Sequence, residues 1–202
     1  MNLYIKTFTL AANSLSIFIP DEEEMKRLYK EGKIPFPYWS QVWPSAIALS
    51  EYIVKHPELI SDKKVLELAA GLGLPSMFAA RHASEVICSD YNEDAVAIME
   101  KTIRHLQLKN CSAMVLDWNN LPGDLEADVV LLSDINYNPE SFPALKNMIL
   151  HFLQKGSTLI LASPQRLMAK QFIEEIVPFA FSSEDRIVDS VVITVFLLRK
   201  IY

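Results

Sequence analysis

At 202 residues the chain is long enough to bury a substantial core as one domain. Apolar residues make up 50% and charged residues 22%, as in an ordinary globular protein. The formal net charge is −6 with pI about 5.3 and no Lys/Arg run, which argues against a nucleic-acid backbone as the main partner, since phosphate binding needs clustered positive charge.

Residues 3–10 and 14–19 read as two strands around Ala11-Ala12-Asn13, an N-terminal hairpin. Lys6, Thr7, Thr9, Asn13, Ser14 and Ser16 interrupt its apolar residues, so it does not read as a signal peptide. The late apolar run Val191 to Leu198 is too short to span a bilayer, and the chain is expected to be cytoplasmic, with no membrane partner. Asp21 to Glu24 place acids in the first turn of a short helix that ends near Gly32.

The segment 34–45, I-P-F-P-Y-W-S-Q-V-W-P-S, carries three prolines that hold the backbone extended. Tyr38, Trp39 and Trp43 supply large aromatic faces within it. Core packing accounts for Trp39 at least as well as a role in a site does. Trp43 suits a place beside a cation, which an aromatic face attracts. A helix is expected from about Pro44 to His56, stopped by Pro57.

Lys63 to Ser76, K-K-V-L-E-L-A-A-G-L-G-L-P-S, organises the rest. Val65, Leu66 and Leu68 form a short strand that breaks on Ala69-Ala70-Gly71-Leu72-Gly73, and a helix opens through Pro75. Small residues let the backbone approach a ligand closely, and the helix N-terminus offers free N–H groups. Glu67 would repel a pyrophosphate but attract an ammonium. The expected ligand therefore carries a nucleoside and a positive charge, as S-adenosylmethionine does.

Strand and helix then alternate, the pattern of a mostly parallel sheet. Glu85 to Ser89 form strand two, ending in Asp90-Tyr91-Asn92, with Asn92 capping a helix to about Leu108. Ser112 to Leu116 form strand three, ending in Asp117-Trp118. Asp128 to Ser133 form strand four, ending in Asp134-Ile135-Asn136-Tyr137. A helix at 143–154, strand five at Thr158 to Ala162 and a helix at about 167–177 follow. The chain closes with an antiparallel pair, 178–182 and 187–199, around Ser183-Glu184-Asp185. One domain covers 1–202, with 1–43 an extension and 44–202 a Rossmann-like core.

Four strand ends carry acids, Glu67, Asp90, Asp117 and Asp134, at the edge where such sheets bind ligands. Asp90 falls seventeen residues after Gly73, where an acid accepts hydrogen bonds from ribose hydroxyls. A nicotinamide dinucleotide site shares that feature. Asp117 and Trp118 are expected to border the adenine. Cys88 and Cys111 read as small buried hydrophobes, and the four histidines have no metal-ligand spacing, so no metal site is expected.

The stretches Y-W-S-Q-V-W-P-S-A, V-L-E-L-A-A-G-L-G-L, V-L-D-W and S-D-I-N-Y together resemble the protein-lysine methyltransferase family of the seven-strand S-adenosylmethionine-dependent class, which includes the enzyme acting on the electron transfer flavoprotein β subunit. The resemblance runs from about Pro37 to Arg166, with Ala69 in place of the first motif glycine. It implies an α/β, Rossmann-like sheet with an antiparallel last strand. It also implies a cofactor pocket using Trp43, Ala69, Ala70, Gly71, Asp90, Trp118 and Ser133, to which the strand-end reading adds Glu67, Gly73, Tyr91 and Asp117 as expected cofactor-binding residues. The family's Asp-x-x-Tyr motif, associated with the target lysine, maps onto Asp134 and Tyr137. The expected activity is N-methylation of a lysine in a protein substrate. A small-molecule methyltransferase, an inactive cofactor-binding scaffold and an NAD-dependent oxidoreductase are the rivals.

Overall fold

A computed structural model describes residues 1–200. Strands β1 (Leu3–Leu10) and β2 (Asn13–Pro20) form an antiparallel ribbon, followed by helix α1 (Glu22–Lys30), which Asp21 caps by accepting the Glu24 N–H at 2.8 Å. The ribbon is fastened to the rest of the chain by polar groups. The Phe18 N–H donates to Thr102 Oγ1, and Arg81 donates to Asn13 Oδ1 and the Ser14 carbonyl.

After helix α2 (Pro44–Lys55), the core alternates β3 (Lys64–Leu68), α3 (Leu74–Ala79), β4 (Glu85–Asp90), α4 (Glu93–Leu106), β5 (Cys111–Val115) and β6 (Val129–Ser133). Then come α5 (Phe142–Gln154), β7 (Thr158–Pro164), α6 (Lys170–Ile176), β8 (Ala180–Val188) and β9 (Val191–Leu198). The seven-stranded sheet has the order β5-β4-β3-β6-β7-β9-β8. Strands β3 to β7 run parallel, and β9, the last in sequence, enters antiparallel between β7 and β8. The expected α/β architecture with an antiparallel last strand is therefore the observed one.

Alternation along the central strands sorts the core into two layers. Val65, Val129, Leu131 and Ile160 pack with residues of α2, α3 and α4. Leu66, Leu68, Val130, Leu132, Leu159 and Leu161 pack on the opposite face with α5 and α6. Glu67 shares parity with Val65, so its carboxylate is sent into the α3 layer. Strand order reverses between β3 and β6, and a crevice opens there at the carboxyl ends.

Two boundaries differ from expectation. The closing turn is not at Ser183-Glu184-Asp185, because β8 runs straight through those residues as the edge strand of the sheet. The turn is Asp189-Ser190, both at positive φ (49° and 65°), as a two-residue hairpin loop requires. The polar run satisfies itself on the edge: the Thr194 hydroxyl donates to Asp185, and Lys55 and Arg186 both reach Glu184. The helix expected at 167–177 is α only over Lys170–Ile176, with 3₁₀ turns at Leu167–Ala169 and Val177–Phe179.

Candidate active site

The glycine loop between β3 and α3 is built on left-handed backbone. Ala69, Gly71 and Gly73 have φ of 52°, 56° and 69°. At Gly71 a Cβ would lie 3.1 Å from the Trp39 carbonyl oxygen, and at Gly73 one would meet Met99 Sδ at 2.9 Å. At Gly71 the neighbour is backbone, so space as well as conformation demands glycine; at Gly73 it is a flexible methionine side chain, and the positive φ decides. Ala69 adopts the same conformation with a methyl group, at a cost of about 1 kcal/mol. Its neighbour Ala70 donates its N–H to the Ser89 carbonyl, tying the loop to β4.

Glu67 lies beneath this loop, fully buried, and does not line the crevice. Its Oε2 accepts from the Ser76 N–H at 3.0 Å and from the Ser76 hydroxyl at 2.5 Å. Its Oε1 has no partner among the described residues. Burial pushes the Glu67 carboxyl up to about 8, against the opposing pull of the Ser76 bonds. The side chain expected to bring a full negative charge is therefore largely protonated at neutral pH in the free protein.

The crevice, about 110 Å³, is walled by the loop residues Ala69 to Leu74, by Asp90 and Tyr91 at the end of β4, and by Ser133 to Ile135 at the end of β6. Trp43 and Trp118 approach from the segments before α2 and after β5. Asp90 is nearly buried, with Oδ2 accepting the Gly71 N–H at 2.9 Å and Oδ1 the Asn92 N–H at 3.0 Å. Burial raises its pKa, and those backbone N–H groups oppose the rise. Each oxygen keeps a second lone pair for a hydroxyl. Trp39 is 8% exposed and packs in the core, as the packing reading expected, while Trp43 donates its indole N–H to the Tyr38 carbonyl at 2.7 Å. Asp117 faces an adjoining cavity shared with Tyr91, Trp118 and Tyr137, and its Oδ1 accepts from the backbone and side-chain N–H groups of Asn119.

Asp134 sits at the end of β6, beside the loop, because β6 pairs directly with β3. It is 9% exposed, at φ 54°, and its N–H donates to the Ala162 carbonyl of β7. It does not cap the turn before Pro139; Asn138 does, accepting the Glu140 N–H. Asn136, two residues on, is buried and exchanges hydrogen bonds with the Ser163 hydroxyl, which fixes this loop to β7. The Asp134 carboxylate is held by both terminal nitrogens of Arg166, an ion pair that sequence reasoning missed. Arg166 lies two residues past the end of β7, so the rule that picked out acids at strand ends would have found it if applied to cations. Tyr137 is half-buried, and burial holds its phenol above the ordinary value. It stacks on Tyr38, a residue given no site role by its sequence context.

The lysine methyltransferase family matches residues 38–178. This chain belongs to that family. It is 31% identical over 121 residues to histone-arginine methyltransferase METTL23 from Homo sapiens, which aligns 57% of this chain with 64% of that protein. It is 30% identical over 175 residues to protein N-terminal and lysine N-methyltransferase EFM7 from Candida glabrata, covering 77% and 68%. It is 30% identical over 146 residues to histidine protein methyltransferase 1 homolog from Dictyostelium discoideum, covering 68% and 47%. The chain spans roughly half to two-thirds of the METTL23 proteins it matches. Among solved structures, the 16S rRNA methyltransferase RsmC of T. thermophilus superposes with a TM-score of 0.70 at 16% identity, covering 98% of this chain and 51% of that one. At that identity the likeness speaks for the fold.

The crevice suits S-adenosylmethionine on its own geometry. The left-handed loop leaves backbone room, Asp90 offers free lone pairs, two indoles flank the space, and Glu67 Oε1 is a buried, unpartnered oxygen beneath the loop.

Proposed function

We propose that this protein is an S-adenosylmethionine-dependent protein methyltransferase whose acceptor is a lysine side chain. The observation that carries the reading is the meeting, in one crevice, of the glycine loop after β3 with Asp134 and Tyr137 after β6. When bound, the cofactor supplies a methyl group on a sulfonium, and displacement by an amine needs alignment more than a strong base. In this reading Asp90 takes the ribose hydroxyls, and Trp43, Trp118, Tyr91 and Ser133 wall the pocket. Asp117 contributes from the adjoining cavity, and Glu67 meets the ammonium from below. Asp134 accepts a hydrogen bond from the acceptor amine, and Tyr137 packs along the lysine stem. No nucleic-acid or membrane partner is part of the reading, and the expected compartment is the cytoplasm.

A second acceptor, arginine, is favoured by one specific feature: Asp134 already holds a guanidinium in a two-pronged grip. One experiment separates the two. The protein is incubated with cell lysate and methyl-labelled cofactor, and the labelled protein is hydrolysed to amino acids. Methyllysine is the expected product, and methylarginine would establish the second reading. Label only in nucleic acid or small metabolites would overturn both.

A further inference from the structure

The Asp134–Arg166 pair changes what the acceptor site can hold. Asp134 is 9% exposed and its carboxylate has no other partner among the hydrogen bonds of the described residues, so Arg166 supplies its whole compensation. Arg166 itself is a third exposed and forms the wall between the crevice and a second cavity of about 400 Å³ behind it. Each Asp134 oxygen accepts one N–H from Arg166 and retains a lone pair. The pair as a whole carries no net charge. An unpaired aspartate here would bind an ammonium ion and stabilise the protonated form of the acceptor, which cannot attack a methyl group. A compensated aspartate can accept a hydrogen bond from a neutral amine without trapping its protonated form.

We propose that Arg166 is a positioning residue that makes this site select the neutral amine. The inference rests on the reading of Asp134 as the acceptor's anchor. Lys170 and Glu174, paired with each other, line the second cavity with Arg166, and the titratable groups facing the crevice itself are consistent with this role. Tyr38, Tyr91 and Tyr137 line the crevice, and burial raises the latter two phenols, so they stay neutral through the mildly alkaline range. Asp90 is the remaining carboxylate on the wall, with both oxygens engaged by Gly71 and Asn92. Glu67 titrates near 8 but sits beneath the loop, away from the wall.

The test needs no identified substrate. The probe is n-butylamine, which has the chemistry of a lysine side chain, titrated into the protein with S-adenosylhomocysteine present. Binding is followed by nuclear magnetic resonance between about pH 7 and 9, below the ordinary amine pKa of about 10.4. If only the neutral form binds, the apparent affinity of the wild type rises roughly tenfold per pH unit across that window. In Arg166→Gln the affinity becomes nearly independent of pH, because the abundant ammonium form now binds Asp134. Arg166→Lys keeps the charge while losing the fork, and retains the wild-type slope. The slope is read as a difference between variants at saturating S-adenosylhomocysteine, so that the titration of Glu67 is common to all of them. Unchanged S-adenosylhomocysteine affinity certifies that each variant is folded. A wild-type slope in Arg166→Gln would overturn the role of Arg166. Absence of n-butylamine binding in every variant, with cofactor-product affinity intact, would overturn the acceptor site itself.

Discussion

Tyr38 and Tyr137 stack with ring centroids 4.8 Å apart and planes inclined by 27°. One ring belongs to the proline-rich segment before α2 and the other to the loop after β6. Phe36 leans on Tyr38 at 4.5 Å, and Tyr29 of α1 meets Phe36 edge-on at 5.3 Å. The N-terminal extension therefore reaches the acceptor side of the crevice through a row of aromatic rings. An aromatic pair of this kind contributes about 0.5–1.5 kcal/mol beyond area burial. Tyr38→Ala is expected to raise the acceptor KM severalfold and leave cofactor affinity near wild type. Tyr38 is 46% exposed, so its loss should leave the melting temperature little changed. Steady-state kinetics and thermal melting check both halves.

The tryptophans should separate by what they lose. Trp39 is a core residue, and Trp39→Ala is expected to cost about 3–5 kcal/mol of stability. Trp118→Ala and Trp43→Ala should instead weaken S-adenosylmethionine binding with smaller losses of stability. Denaturant unfolding and calorimetric titration of the three variants make the comparison. Equal stability losses in all three would remove Trp43 and Trp118 from the site.

Asp90→Ala removes the acceptor of the Gly71 and Asn92 N–H groups as well as the partner of ribose hydroxyls. An affinity loss of about 1–3 kcal/mol is expected on calorimetry. Asp90→Asn preserves an acceptor oxygen and should lose less.

Glu67 predicts two opposite pH dependences. Its carboxyl lies near 8 in the folded chain against about 4.5 in the unfolded one. The unfolded state therefore releases this proton first, and the Glu67 contribution to stability declines as pH rises from about 5 to about 8. Cofactor binding should run the other way, because a cation above Glu67 favours its ionised form. Affinity should rise with pH up to about 8, with proton release on binding below that value. Glu67→Gln should flatten both profiles, measured by melting temperature and by calorimetry in buffers of different ionisation enthalpy.

Ala69→Gly should stabilise the fold or leave it unchanged. Glycine relieves the left-handed strain, about 1 kcal/mol, while making the unfolded chain more flexible. Cofactor affinity should not fall. A clear loss would mean that the Ala69 methyl makes a contact with the ligand.

Much of this was legible before any coordinates. The β3 run and its small-residue turn and the Asn92 cap of α4 follow from local rules that nothing in the tertiary structure opposes. The acids at strand ends were found because the ends of parallel strands share one edge. What they do once there was less legible. Glu67 is diverted under the loop by strand parity and by a serine nine residues on. Asp117 folds back on Asn119, and Asp134 is claimed by Arg166 from thirty-two residues away. The last hairpin was misread because polar residues on an edge strand mimic a turn, whereas the real turn uses two ordinary-looking polar residues at positive φ.

The close approach of Gly71 to the Trp39 carbonyl has a consequence for how the two halves of the crevice communicate. The Trp39 backbone, next in chain to Tyr38, faces Gly71, whose N–H Asp90 holds, and glycine places no side chain between them to absorb a displacement. A shift of the glycine loop when cofactor enters would push residues 38–40, and with them the ring that Tyr137 leans on. The acceptor side of the site would thus register whether the methyl donor is in place, which predicts ordered kinetics with the cofactor binding first. Gly71→Ala, whose methyl group would lie 3.1 Å from the Trp39 carbonyl oxygen, should damage acceptor binding even at saturating cofactor.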